Sequence, residues 1–533
     1  MRLLPSALLL TLLACRPHGI VLGPDDSGSN PDDSGGNPDD SGDPDTPRCQ
    51  PSATTVDPYF LEGQALSMAF DCGNGVSRGR FDATIANLPE GASFDADSWT
   101  ISWTPELDQG GRYDLLISVL PAGQPSAFPE SAVGTLWVAD AIDNPANLPV
   151  DPETYTEEWG LAVFHLDPQQ SVGTEHVPAR ITVHGHEYQA EMKVRGAVSA
   201  GYPKLSYTMR FSDEDLDASA WDMGNKDHLY AITPFDDNSY VRQKLCYDLW
   251  RAMAEHWGAD RLAPRTFFGV VYLSGRYHGL YLFSDRPDDH FIQEMGLSPD
   301  GNLYKAVSHY ANFYRTYSGS PKSTLHDGYE KKEGLPLEGQ PGAFWDLDEL
   351  VAWSADATHQ EFWEDHAAWL RLDEFMDWFL LVHWTSSDDS AGKNAYLYND
   401  PDAREFRYCP WDFNHSYGQG WYTYRIESNA YADFQSTNGI FAHIQLHTQA
   451  NAELWARFQE MADEGPLNAT WMQAAVDGYF AEIQRSAERD WSVWARSYQS
   501  YWGSNNPNSF AQEKAYLETW IRERDDYMRR VHP

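Results

Sequence analysis

Two stretches, Ser386-Ser-Asp388-Asp389-Ser-Ala-Gly-Lys393-Asn394-Ala-Tyr-Leu-Tyr398 and Tyr408-Cys-Pro-Trp411-Asp412-Phe413-Asn414-His415-Ser-Tyr-Gly418, organise the reading of this chain. The first sets two carboxylates in a polar loop after the apolar run from Phe375 to Trp384, and its Asn precedes a strand-like Ala-Tyr-Leu-Tyr. The second ends an aromatic run on an acidic residue and opens a loop closed by glycine. Asp389 and Asn394 are five residues apart, and Asp412 follows Asn394 by 18. Oxygen donors in this order suit two tasks, accepting a hydroxyl proton and ligating a hard divalent cation. The competing reading is that Asp and Asn only cap turns.

Upstream the pattern is sheet-like. Arg180-Ile-Thr-Val-His and Glu191-Met-Lys-Val-Arg read as short strands, and Leu205 to Phe211 alternates, which sets Lys204, Ser206, Thr208 and Arg210 on one face. Apolar residues at 241, 245, 249, 250 and 253 predict an amphipathic helix from Val241 to Trp257. Phe267 to Leu273 and Gly279 to Phe283 predict a hairpin around Ser274-Gly275-Arg276. From about residue 343 the chain is mainly helical, with Trp and Leu at core spacing. Between the first strands, Arg195-Gly196-Ala-Val-Ser199-Ala-Gly201-Tyr-Pro-Lys204 is a Gly- and Ser-containing turn followed by a lysine. Backbone N–H groups in such a turn cradle phosphate as readily as they close an ordinary hairpin.

The 533 residues hold 80 acidic and 38 basic side chains, a net charge of −42, with 42% hydrophobic residues. That composition supplies real cores and excludes a wholly disordered chain. The field repels phosphate backbones, so no nucleic-acid partner is expected, and any nucleotide site needs a cation and a local basic cluster.

The N-terminus reads as an export signal, residues 1–14. Arg2 precedes an apolar run, and Leu12-Leu13-Ala14-Cys15 has the large-large-small-Cys order of a bacterial lipobox. Cys15 is the expected lipidation site, and through its lipid the chain meets a membrane. Arg16, where Asp would favour inner-membrane retention, points to the outer membrane or cell surface. Residues 15–50 repeat Pro-Asp-Asp-Ser-Gly every seven residues and form a disordered tether. Cys49 and Cys72 are placed to form a disulfide, whereas Cys246 sits in a helical pattern as a small buried hydrophobe. Residues 51–140 have a period of two and frequent Gly, Pro and Asp turns, the pattern of a β-sandwich. Their Leu88-Pro89-Glu90-Gly91, Trp103-Thr104-Pro105 and Gly110-Gly111-Arg112-Tyr113 segments resemble the bacterial Ig-like, cadherin-like repeat. A linker, 141–155, leads to the large domain, 156–533.

The large domain resembles the CotH kinase family, named for a spore-coat protein and built on an atypical, minimal kinase fold. The resemblance rests on Lys193-Val-Arg195-Gly196 with Ser199 and Pro203-Lys204, on the Asp237 and Val241-Arg242-Gln-Lys-Leu245 helix start, and on Tyr272-Leu-Ser-Gly275-Arg-Tyr-His-Gly279-Leu-Tyr281. It continues through Asn302-Leu-Tyr-Lys305, the Asp389 to Asn394 loop, Trp411-Asp412 and the closing helix Tyr516 to Tyr527. It implies two lobes, a sheet-rich one and a helix-rich one, with a cleft between them. By position it implies Asp389 as the catalytic carboxylate and Asn394 and Asp412 as ligands of Mg²⁺. Lys204, with Arg195 and Arg210 nearby, would hold the phosphates of ATP. The implied reaction moves the γ-phosphoryl group to Ser or Thr of an extracytoplasmic protein. The alternative is a catalytically silent surface-binding or adhesion protein. Three departures from the family pattern stand out: Leu205 replaces a common second lysine, Asp285 a usual Glu, and Asn414 a frequent Asp.

Overall fold

The computed structural model describes residues 48–54, 57–142 and 149–533. The signal segment, Cys15 and nearly all of the tether lie outside the described residues. The chain divides into two compact units. The first takes the described residues up to Val163 with Val183–Gly185 and Gly275–Tyr277; the second takes Phe164–Thr182, His186–Ser274 and His278–Pro533. The protein is therefore multidomain, β-rich towards its N-terminus and helical in its C-terminal half.

In the first unit two four-stranded sheets share one core. One runs Pro51–Ala53, Leu66–Cys72, Thr100–Trp103, Ser93–Asp95; the other Tyr59–Leu61, Glu130–Ala139, Gly111–Pro121, Phe81–Ala86. The period of two does the work: Leu66, Met68, Phe70 and Cys72 turn inward while their neighbours face out. They meet Ile101 and Trp103 of their own sheet and Leu115, Ile117, Leu136 and Val138 of the other. A disulfide joins Cys49 to Cys72 across 23 residues.

The second unit opens with a large sheet. Its order is Val177–Val183, His186–Arg195, Ser206–Phe211, His228–Ile232, Arg276–Ser284, Thr266–Leu273, Leu161–Pro168, Glu157–Glu158, and Leu161–Pro168 also pairs with Val177–Val183, closing a barrel. The expected helix is present as Arg242–Trp257, with Gly258 in the left-handed conformation (φ 59°) ending it. A smaller sheet follows in the order Tyr329–Glu333, Asn302–Ala306, Ala395–Asn399, Phe406–Pro410. Helix Leu372–Thr385 packs nearby and is buried on almost every side; its buried carboxylates are paired, Glu374 with Arg407 at 2.8 Å and Asp377 with Arg261 at 2.5 Å and Arg457 at 2.7 Å. Long helices Ala469–Trp502 and Phe510–Val531 complete the unit. Among the described residues no helix is long and apolar enough to cross a membrane.

Candidate active site

The two key stretches meet because their strands pair. Ala395 lies opposite Pro410 in an antiparallel register, so Asn394, just before one strand, and Asp412, just after the other, emerge at the same end of the small sheet. Both adopt the left-handed backbone, φ 55° for Asn394 and 59° for Asp412. Asn and Asp tolerate that conformation better than other side-chain-bearing residues. Asn394 Nδ2 donates to Asp389 Oδ2 at 2.9 Å, which brings the third residue into the group. All three line one cavity of about 560 Å³.

Asp389 is heavily engaged. Lys393 Nζ donates to both of its oxygens, at 3.1 and 2.8 Å, and His309 Nε2 stands 3.3 Å from Oδ1. Asp412 is different. Its backbone N–H donates to the Tyr247 hydroxyl at 3.0 Å, but its carboxylate makes no hydrogen bond or ion pair among the described residues. The side chain opens into the cavity yet is ringed by protein. Asp412 is exposed to the cavity, but the protein crowded around it withdraws water and pushes its carboxyl above the usual range, against the opposing pull of His415, Arg195 and Lys305. Beside it, Asp236 accepts from Asn414 Nδ2 at 2.6 Å and from the Tyr202 hydroxyl at 3.2 Å, with His415 Nε2 3.7 Å away. Burial opposes the charge on His415, but Asp236 and Asp412 outweigh it and raise the imidazole above its ordinary value.

Cations share the cavity with these oxygens. Lys193, Arg195 and Lys305 line the cavity, and none of them makes an ion pair among the described residues. In a chain with twice as many acids as bases that is an unusual grouping. Aromatic rings hold two of them in place: the Arg195 guanidinium lies 4.2 Å from the Tyr230 ring centre and 5.4 Å from that of Trp411, and Lys305 Nζ lies 5.7 Å from Trp411. Burial, then repulsion from Arg195, brings the Lys305 ammonium down to about 8, with Asp412 opposing. The turn after Arg195 also faces the cavity. Gly196 has φ 106°, and a Cβ there would lie 1.9 Å from Ser199 Oγ, so the tight turn requires glycine.

Two of the residues expected at the phosphates lie outside the cavity lining. Lys204 does not reach the cavity: it is 1% exposed, pairs with Asp490 at 2.5 Å and donates to the Leu280 carbonyl at 2.8 Å. Burial lowers its pKa, and Asp490 opposes that. The regular strand begins only at Ser206, so alternation does not extend back to residue 204. Gly279 makes room for the pair, since a Cβ there would lie 2.0 Å from Asp490 Oδ1. Arg210 lies beyond the cavity on the same strand, about half exposed and 3.4 Å from Glu191. Ser206 and Thr208, on that face, do line it. Lys193, Lys305, Lys393, Asp236, Asp237, Glu330 and His415 are the additional lysine, carboxylate and histidine groups of the lining, and His309 stands beside Asp389. Lys193 and Lys305 stand within the motifs that carry the family resemblance, but the resemblance assigned them no role. Of the departures, Asp285 is fully buried between Lys226 at 2.9 Å and Arg265 at 2.7 Å, away from the cavity, and Asn414 is the donor to Asp236 already described. Elsewhere Asp227, His228 and Asp288 bring ligand atoms within 4.8 Å of one another, outside the cavity lining.

The donor set fits a hard cation. Asn394 commits its Nδ2 to Asp389, which leaves Oδ1 as an acceptor, and Asp412 contributes an unpartnered carboxylate. A cavity that holds unpaired oxygens and unpaired cations together suits a ligand bearing both signs, such as a metal-bound phosphate.

Barrel, small sheet and cavity define an α+β domain with a charged pocket, and residues 192–528 match the family described as CotH kinase protein. The chain belongs to that family, and membership suggests a kinase-like function. It is similar to Inner spore coat protein H of Bacillus subtilis (strain 168), at 22% identity over 355 residues, 66% of this chain and 90% of that protein. Among solved structures, a Bacteroides fragilis NCTC 9343 protein described as an alpha-galactosidase candidate matches 24% of this chain and 20% of its own, at 12% identity and a TM-score of 0.13. So slight a likeness bears on neither fold nor function.

Proposed function

We propose that this protein is a lipid-anchored kinase of the cell envelope that transfers the γ-phosphoryl group of ATP to Ser or Thr of an extracytoplasmic protein. The observation that carries the proposal is the cavity itself, which Asp389, Asn394 and the unpartnered Asp412 line together with Lys193, Arg195 and Lys305. In this reading Asn394 and Asp412 would hold Mg²⁺, and Arg195 and Lys305 would take the phosphates in place of Lys204 and Arg210. Bound there, Mg²⁺ would neutralise phosphate charge as the leaving group departs. Asp389 would accept the acceptor's hydroxyl proton. The barrel and the helical part correspond to the two lobes of the family fold, the first unit to an Ig-like spacer, and Cys15 to the membrane tether.

Radiolabel transfer from ATP tests the proposal. Wild type should label an envelope extract, Asp389→Ala should lose about 10²- to 10⁴-fold, the range for a missing general base, and Asp412→Ala should be silent. Mg-ATP at 100 times its dissociation constant should stabilise the wild type by about 2.7 kcal/mol. Equal labelling by all three proteins, or no stabilisation by Mg-ATP, would leave only a surface-binding protein.

A further inference from the structure

Asp389 is poorly prepared for its proposed task as long as its partners stay where they are. Oδ1 receives Lys393 at 3.1 Å and faces His309 at 3.3 Å; Oδ2 receives Lys393 at 2.8 Å and Asn394 at 2.9 Å. With its two oxygens surrounded by that many donors, Asp389 has few lone-pair directions open to an incoming hydroxyl. One partner must leave. Asn394 is fixed by its left-handed backbone at the start of a strand. Lys393 is not: its ammonium ends a flexible four-carbon stem, it lines the cavity, and its side chain is 23% exposed. The Trp421 ring centre, 5.9 Å from Nζ on the same cavity wall, gives it a second seat. A partly exposed carboxylate–ammonium pair holds weakly, and a phosphate chain in the cavity would outcompete a single carboxylate for the lysine.

We propose that Lys393 is a catalytic cation that leaves Asp389 for the transferring phosphoryl group when nucleotide binds. The inference rests on the phosphotransfer reading above. In the step it serves, the acceptor oxygen bonds to the γ-phosphorus while the bond from that phosphorus to the β,γ-bridging oxygen breaks. ADP keeps that electron pair, and the hydroxyl proton passes to the Asp389 oxygen that Lys393 has vacated. One residue thus guards the base before nucleotide arrives and neutralises the phosphoryl group afterwards.

The test is a double-mutant cycle read by Mg-ATP affinity, measured calorimetrically on the full chain. Asp389→Asn releases the lysine and should tighten Mg-ATP binding about threefold or more, whereas Lys393→Met should weaken it by a similar factor. On the Lys393→Met background, Asp389→Asn should add nothing. Lys393→Arg, which keeps both the pair and the charge, should bind within about twofold of wild type and shows that the position tolerates change. A gain from Asp389→Asn that persists without Lys393 would reduce the effect to general charge removal and overturn the proposal, as would weaker binding by Asp389→Asn alone. Absence of Mg-ATP binding by every protein, wild type included, would bring down the phosphotransfer reading with it. Binding without coupling would sink only the role of Lys393.

Discussion

Lys305 is cationic at neutral pH only at a cost. Burial and the neighbouring Arg195 hold its ammonium near 8, against 10.5 for a free lysine, with Asp412 opposing. Because the folded value is depressed, this charge penalises folding below pH 8, and the penalty fades as pH rises from about 8 to about 10.5. An anionic ligand reverses the balance by favouring the charged form. Mg-ATP binding at pH 8 should therefore take up protons, visible as a heat that depends on the buffer's ionisation enthalpy, and affinity should fall between pH 7 and pH 9. In Lys305→Arg both effects should disappear, since guanidinium stays charged throughout. Identical proton uptake by wild type and Lys305→Arg would remove Lys305 from the phosphate site. The sequence displays Asp389, Asn394 and Asp412 plainly, because their loop context is local. Of the cations it offers, Arg195 lines the cavity with them, while Lys204 and Arg210 do not. Lys204 follows a Gly-rich turn and looks suited to phosphate, but its partner Asp490 lies 286 residues further on, and no local pattern announces that pairing.

The C-terminal helix Phe510–Val531 shows the same limit for an element. Its helical character is legible from the spacing of Leu517, Trp520, Ile521, Arg524 and Met528, all buried. What its side chains hold is not. Glu513 pairs with Arg242 at 2.5 Å and with Arg425 at 2.5 Å, and Arg242 in turn meets Asp237 at 2.6 Å. Further along, the Tyr516 hydroxyl donates to the Gly418 carbonyl at 2.9 Å and Trp520 Nε1 to that of Ile426 at 2.9 Å. The helix therefore secures the loop that continues from Asp412 and His415, together with the start of the Arg242–Trp257 helix. Burial resists the charge on Glu513, but Arg242 and Arg425 outweigh it and hold the carboxyl down at about 2. The sign follows from that depression: the stabilisation is complete above the free value of 4.5 and is lost as pH falls from there towards 2. Glu513→Gln leaves the fully buried Arg242 short of a counter-charge and should cost about 3 to 5 kcal/mol at pH 7. Urea melts at pH 7, 4 and 3 should show the gap to wild type narrowing with acid. A gap that does not change with pH would mean that packing, not charge, makes this contact matter.

For the whole chain, composition and periodicity carry the coarse architecture. The period of two over residues 51–140 becomes the two sheets of the first unit, and the helix expected from Val241 starts one residue later. Closure of the barrel is invisible beforehand: Leu161–Pro168 pairs locally with the next strand, Val177–Val183, but its other neighbour is Thr266–Leu273, far along the chain, and no local pattern announces that pairing. Charge has its own consequence. A net −42 opposes the approach of an anionic nucleotide, while Lys193, Arg195 and Lys305 attract it only at close range. At ionic strength near 10 mM the screening length is about 30 Å and the repulsive field of the whole chain is felt; near 150 mM it is about 8 Å and only the local cluster remains. The association rate of Mg-ATP, followed by stopped flow with a fluorescent analogue, should therefore rise about twofold or more across that range, the reverse of the behaviour of proteins whose net charge attracts their anions. A rate that falls with added salt would show that the three cations dominate the approach as well as the site, and that the surrounding acids are too distant from the cavity mouth to matter.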